Sequence, residues 1–98
     1  MTTDGWTRVS RHEVRSPCGR YRITSAFERL DGSRTLYTAT HGVREHIGSI
    51  STDTDDAGGR AAAVEVLKAD CAAHAARVAA EALAAEAEAI ERVRRERA

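Results

Sequence analysis

Two cysteines, Cys18 and Cys71, and four histidines, His12, His41, His46 and His74, are the side chains best suited to hold a metal or attack an electrophile. Cys71 and His74 stand three apart, a spacing that puts a thiol and an imidazole on one face of a helix. Zinc asks for about four converging ligands, and Cys18 with His12, His41 or His46 are the residues available to complete such a set. Read instead as a nucleophile and its base, the pair would need an exposed thiolate and an oxyanion hole. Both residues fall on the stripe of the helix that faces a sheet, where a buried thiol and a core histidine are ordinary. The expectation is therefore no metal, no cofactor and no enzymatic activity. Gly58-Gly59 belongs to no phosphate-loop pattern and reads as an allowance for close packing at the helix start.

The stretch carrying Cys71 and His74 runs from about Asp55 to Arg97. It has no proline, and its glycines are Gly58 and Gly59. Ala, Glu, Arg and Leu fill the rest, so it reads as one long helix. At 1.5 Å per residue such a helix reaches roughly 65 Å, while an eight-residue strand spans about 27 Å. One small sheet cannot cover it. Thr54 is the expected N-cap, with Asp53, Asp55 and Asp56 beside the free N–H groups of the first turn.

Ahead of the helix the pattern is β. Residues 1–5 carry no structural signal and are expected to fray. Trp6 to Val9 and His12 to Ser16 read as one interrupted edge strand, and Ser16-Pro17-Cys18-Gly19 as a turn. From Tyr21 to Leu30 the chain alternates, with Tyr21, Ile23, Ser25 and Phe27 on one face and Arg20, Arg22, Thr24 and Glu28 on the other. Asp31-Gly32 signals a hairpin, returned by Arg34 to His41. A two-residue turn there sets Phe27 opposite Leu36, and a three-residue turn sets Phe27 opposite Tyr37 and Ser25 opposite Ala39; the second fills a core better. His46 to Ser51 forms the last strand. The expected fold is α+β, a three- to four-stranded antiparallel meander (6–52) followed by a helix (53–98) packed across one sheet face and projecting beyond it, all in one domain.

On that helix Val64, Leu67, Cys71, His74, Ala75 and Val78 form a stripe about 100° wide, enough to dock on a sheet. Leu83 and Ile90 lie roughly 120 to 140° around from Val78, on a face shared with Ala72, Ala76, Ala79 and Ala87. The first half serves the sheet; the second presents a small-residue surface on which another helix can approach closely. Charged pairs among Glu86 to Arg97 support a solvated tail. A homodimer is the preferred reading, because Leu83, Ile90 and Val93 otherwise stay in water. The expected interface is Ala76, Ala79, Leu83, Ala87, Ile90 and Val93, and a strict heptad is absent.

The second candidate site is the solvent face of the sheet. Arg20, Arg22 and Thr24 form a polar surface that a major groove could receive. Gly19-Arg20-Tyr21-Arg22-Ile23, then Tyr37-Thr38-Ala39, then Ile47-Gly48-Ser49-Ile50 and a helix, is an order that resembles the arm-binding domain of tyrosine-type phage integrases over roughly residues 18–78. It also resembles small phage and actinobacterial proteins with a β-rich start and a helical end, and that resemblance implies a phage or actinobacterial source. The integrase resemblance implies a three-stranded sheet that reads duplex DNA.

Charge weighs against that implication. The 98 residues carry 15 basic and 15 acidic side chains, whereas nucleic-acid modules show a strong basic excess. Lys68 is the one lysine, and the abundance of Arg and Ala fits a GC-rich coding sequence, which discounts the arginines as a binding signal. Four aromatic residues and an apolar share of 42% that is mostly alanine leave a small core, which a second copy would supplement. No apolar run spans a membrane and no signal segment opens the chain, so the expected compartment is the cytoplasm, with both cysteines reduced. The reading is a non-enzymatic protein-interaction module, homodimeric through its helix and open to a further protein partner; the alternative is a DNA-binding protein.

Overall fold

A computed structural model describes residues 4–97. Five strands precede one helix: β1 (Thr7–Ser10), β2 (Glu13–Arg15), β3 (Tyr21–Phe27), β4 (Arg34–His41), β5 (Glu45–Asp53) and α1 (Ala57–Arg97). The strands form a single antiparallel meander in chain order. The α+β layout is as expected, but the sheet has five strands rather than three or four. The expected single edge strand is a hairpin of its own, with β1 against β2 and a bulge between Arg8 and Ser10. Every residue of β1 is exposed, so no alternation marked it as a separate strand.

The β3–β4 register differs from both expected turns. Ile23 lies opposite Ala39, Ser25 opposite Tyr37 and Phe27 opposite Thr35. The Glu28 amide closes a longer loop by donating to the Arg34 carbonyl at 2.9 Å, and Gly32 takes a positive φ of 72° inside it. The shift of two places keeps Tyr37 and Ala39 on the inner face, because side chains alternate with period two. Phe27 shares that face but lies 66% exposed, outside the core that α1 covers.

The core is small. Tyr21, Ile23 and Ala39 meet Leu67 and Cys71 of the helix, with Val14, Tyr37, Ile47, Ile50 and Val64 around them and Trp6 alongside. α1 crosses β5 and β4 and reaches β3. It passes directly over Gly48, where a Cβ would stand at contact distance, 3.4 Å from Leu67 Cδ2 and 3.6 Å from Asp70 Oδ2. The N-cap is Asp56, whose Oδ1 accepts the Gly59 amide at 2.9 Å. Thr54, the expected cap, instead bonds Thr35 across the sheet at 2.8 Å. A Cβ on Gly59 would collide with the capping carboxylate, which accounts for that glycine.

Asp4 accepts from Trp6 N–H and from Lys68 Nζ at 2.8 Å; of the segment 1–5, residues 1–3 lie outside the described residues, as does Ala98. The buried stripe of α1 is Ala63, Leu67, Cys71 and His74. It stops one turn earlier than expected, since Ala75 is exposed and Val78 is 44% exposed. Beyond His74 the helix leaves the sheet and runs on for roughly 35 Å at 1.5 Å per residue. The resulting shape is elongated, 68 × 29 × 19 Å.

Candidate functional site

Where α1 leaves the sheet, four side chains from four elements converge. Tyr21 opens β3, His41 closes β4, Glu45 opens β5 and His74 ends the buried stripe of α1. Each has a local reason to be there. Tyr21 and His41 are a cross-strand pair on the inner face. Gly42, at φ 64°, turns the chain within three residues so that Glu45 pairs with His41. The bulge in β5, between the partners of Ala39 and Thr40, aims Glu45 inward: without it His46, two places before Gly48, would take that position.

The geometry is a hydrogen-bonded chain. Tyr21 Oη lies 2.7 Å from His74 Nδ1, His74 Nε2 lies 2.8 Å from Glu45 Oε2, and Glu45 Oε1 lies 3.0 Å from His41 Nδ1. The three rings enclose the chain, with centroids 4.7 Å apart for Tyr21 and His41, 5.0 Å for the two histidines and 5.6 Å for Tyr21 and His74. Neutral imidazoles satisfy every contact when Tyr21 donates to Nδ1 of His74 and both rings donate to the carboxylate. The hydrogen bond from His74, and then that from His41, hold the Glu45 carboxyl below its ordinary value. Burial pushes the Tyr21 phenol up, so it remains a donor at neutral pH. The inner end of this chain is dry and the outer end is wet: Tyr21 and His74 are buried, while the Glu45 side chain is 54% exposed. It opens into a depression between β5 and the helix, lined by His46, Ile47, Asp70, Ala73 and Arg77 as well.

Of the residues weighed for metal or thiol chemistry, the fold brings His41 to His74, with His46 on the rim of the same depression but outside the converging group. Cys71 points into the core, and burial, with Asp70 adding to it, pushes its thiol up to about 11. It is a packed thiol at neutral pH, without the exposure a nucleophile needs. Cys18 is exposed, its thiol drawn down chiefly by the Ser16 hydroxyl 3.3 Å away. His12 bonds Ser25, and His46 bonds Ser49 on the outer sheet face. Glu45 is the member that sequence reasoning missed.

The expected interface residues all lie on the projecting half of α1. Ala76, Leu83 and Ile90 fall within about 20° of one line along the helix, with Ala79 and Ala87 about 40° to either side and Val93 about 80° round. From Ala75 to Arg97 the chain is exposed except at Ala89, and Leu83, Ile90 and Val93 are 67%, 48% and 51% exposed. The segment from Ala79 to Glu91 is acidic, with Glu81, Glu86, Glu88 and Glu91 and no base; Arg92, Arg94, Arg95 and Arg97 follow.

On the outer sheet face Arg22 and Thr24 point away from the core, and Arg20 sits in the turn ahead of β3. Arg22 donates to the Gly42 carbonyl, Arg15 is paired with Glu13, and Arg34 binds Asp53 and lies 4.0 Å from Glu28. Those acids offset Arg15 and Arg34, while Arg20 and Arg22 form no ion pair among the described residues. At the opposite end of the helix–sheet seam, small side chains (Ser25, Ala26, Ala57, Ala61) leave a cleft of about 490 Å³ rimmed by Arg8 and Arg60.

No helix among the described residues is long and apolar enough to cross a membrane. No family of known proteins matches this chain, and no curated protein or solved structure matches it either.

Proposed function

We infer that this chain is a small protein-interaction module, a binding protein rather than an enzyme, that works as a homodimer through the second half of α1. The observation that carries the reading is the length mismatch: a 41-residue helix whose buried residues end at His74. The Glu and Arg side chains of the tail can keep a lone helix in solution, but they give no reason for Leu83, Ile90 and Val93. Burying such side chains fully is worth roughly 1.5 to 3 kcal/mol each, and a second copy provides the apolar surface to do it. The alanines at positions 76, 79 and 87 let two helix backbones approach closely.

Charge order selects the direction. Two parallel tails would set each acid level with the same acid and each arginine level with the same arginine, whereas antiparallel tails that bring Leu83 to Ile90 set Arg92 level with Glu81 and Glu96 level with Arg77. The replacement Leu83→Glu with Ile90→Glu tests this. It lies outside the sheet-covered half, so circular dichroism should stay as for the parent chain while the mass by sedimentation falls to that of one chain. An unchanged mass removes the reading.

A further inference from the structure

We propose that His41, Glu45 and His74 form a binding site for a divalent first-row transition ion, Zn²⁺ being the reference occupant, with one coordination position left open to water. The inference is independent of dimerisation, since all three residues belong to the sheet and the first half of α1.

The donor set is the first support. Two imidazoles and one carboxylate suit Zn²⁺, Fe²⁺, Co²⁺ and Ni²⁺, and three protein ligands with an open fourth position is the composition of reactive rather than closed structural zinc sites. One ligand atom from each of the three lies within 4.8 Å of the others. Ligands bonded at about 2.0 to 2.2 Å and about 90 to 110° apart stand roughly 2.8 to 3.6 Å from one another. Glu45 Oε2 stands 2.8 Å from His74 Nε2 and Glu45 Oε1 stands 3.0 Å from His41 Nδ1, so each imidazole is at that spacing from one oxygen of the carboxylate. A cation would take the place of the N–H protons now shared with the carboxylate.

The surroundings are the second support. A metal-bound imidazole usually donates its other N–H to an oxygen that fixes the ring. With an ion on Nε2, His74 carries its proton on Nδ1, and Tyr21 Oη stands 2.7 Å away to accept it. Tyr21 is thus the positioning residue. His74 and Tyr21 are buried and held by the core, so the inner ligand is fixed in advance. Glu45 lies at the wet side, in the depression that Asp70 and Arg77 line, which gives an ion its path and leaves the open position facing solvent. Cys71 takes no part, being turned into the core three residues before His74. An ion here joins β4, the start of β5 and the helix at the point where the helix departs from the sheet, so occupancy stiffens the base of the projecting segment.

The test is titration of the metal-free protein with Co²⁺ and with Zn²⁺, followed by calorimetry and by the visible absorption of bound Co²⁺. The expected result is one ion per chain, a d–d spectrum without sulfur-to-cobalt charge transfer, and a rise in the melting temperature with Zn²⁺. Glu45→Gln and His41→Asn change partly exposed side chains and should weaken binding by more than the roughly 10- to 100-fold that loss of an outer-shell partner costs. Tyr21→Phe should weaken it within that range, and Cys71→Ala should leave it unchanged. Absence of a one-to-one complex in the folded parent chain overturns the proposal. So does retained affinity in both Glu45→Gln and His41→Asn, or a thiolate signature that Cys71→Ala abolishes.

Discussion

His74 Nε2 on the helix and Glu45 Oε2 at the start of β5 stand 2.8 Å apart, a hydrogen bond that joins α1 to the sheet at the last residue the sheet covers. The contact makes the helix–sheet junction sensitive to acid. Glu45 has a folded-state pKa below the ordinary 4.5, because His74 and His41 donate to its carboxylate. A depressed carboxyl contributes stability in full above its unfolded value and loses it as pH falls through the folded value. Thermal melts taken from about pH 7 down to about pH 3 should therefore show a smaller decline for Glu45→Gln than for the parent chain. Equal declines would show that the contact is not coupled to folding.

Gly48 sets the closeness of the helix to β5. A Cβ at this position already stands at contact distance from Leu67 Cδ2, 3.4 Å, so the two further methyl groups of a valine press on the helix. Overpacking of this kind costs about 1 to 3 kcal/mol. Urea unfolding of Gly48→Val should give a loss in that range, and a neutral outcome would mean that the helix can rise from the sheet at no cost.

Two leucines of one helix should behave in opposite ways. Leu67 is fully buried and Leu83 is 67% exposed. Leu67→Ala should cost the fold about 2 to 5 kcal/mol. Leu83→Ala, measured at concentrations low enough to separate the copies, should stay within about 0.5 kcal/mol. Comparable losses would mean that Leu83 is packed within its own chain.

The helix was legible because its residues agree with one another: alanine, glutamate and arginine, with both glycines confined to the first turn, give a single answer over the stretch. The inner face of β3 was legible for the same reason, Tyr21 and Ile23 alternating with Arg22 and Thr24. The misread features are those in which local geometry departs from strict period. β1 has no buried residue and so no pattern to read. The loop after Phe27 is longer than the Asp31-Gly32 pair suggests, which moved the pairing by two places. The helix cap passed from Thr54 to Asp56 because Thr35 competes for the threonine hydroxyl.

The bulge in β5 had the largest consequence. Strict alternation from Ile50 through Gly48 places His46 on the inner face, where it would have seemed the natural neighbour of His74. One extra residue turns Glu45 inward instead, opposite His41. The nearest signal in the sequence was the spacing from His41 to Glu45 around Gly42, which brings the two side chains together only once the turn is known.

The most direct measurement is the mass of the 98-residue chain in solution, by light scattering across a range of concentrations. Pairing of the projecting helices predicts a mass of two chains that falls toward one on dilution, and that falls to one at every concentration in the Leu83→Glu, Ile90→Glu variant. A parent chain that stays at the mass of one chain up to about 100 µM, a concentration at which even a micromolar complex is formed, would contradict the account.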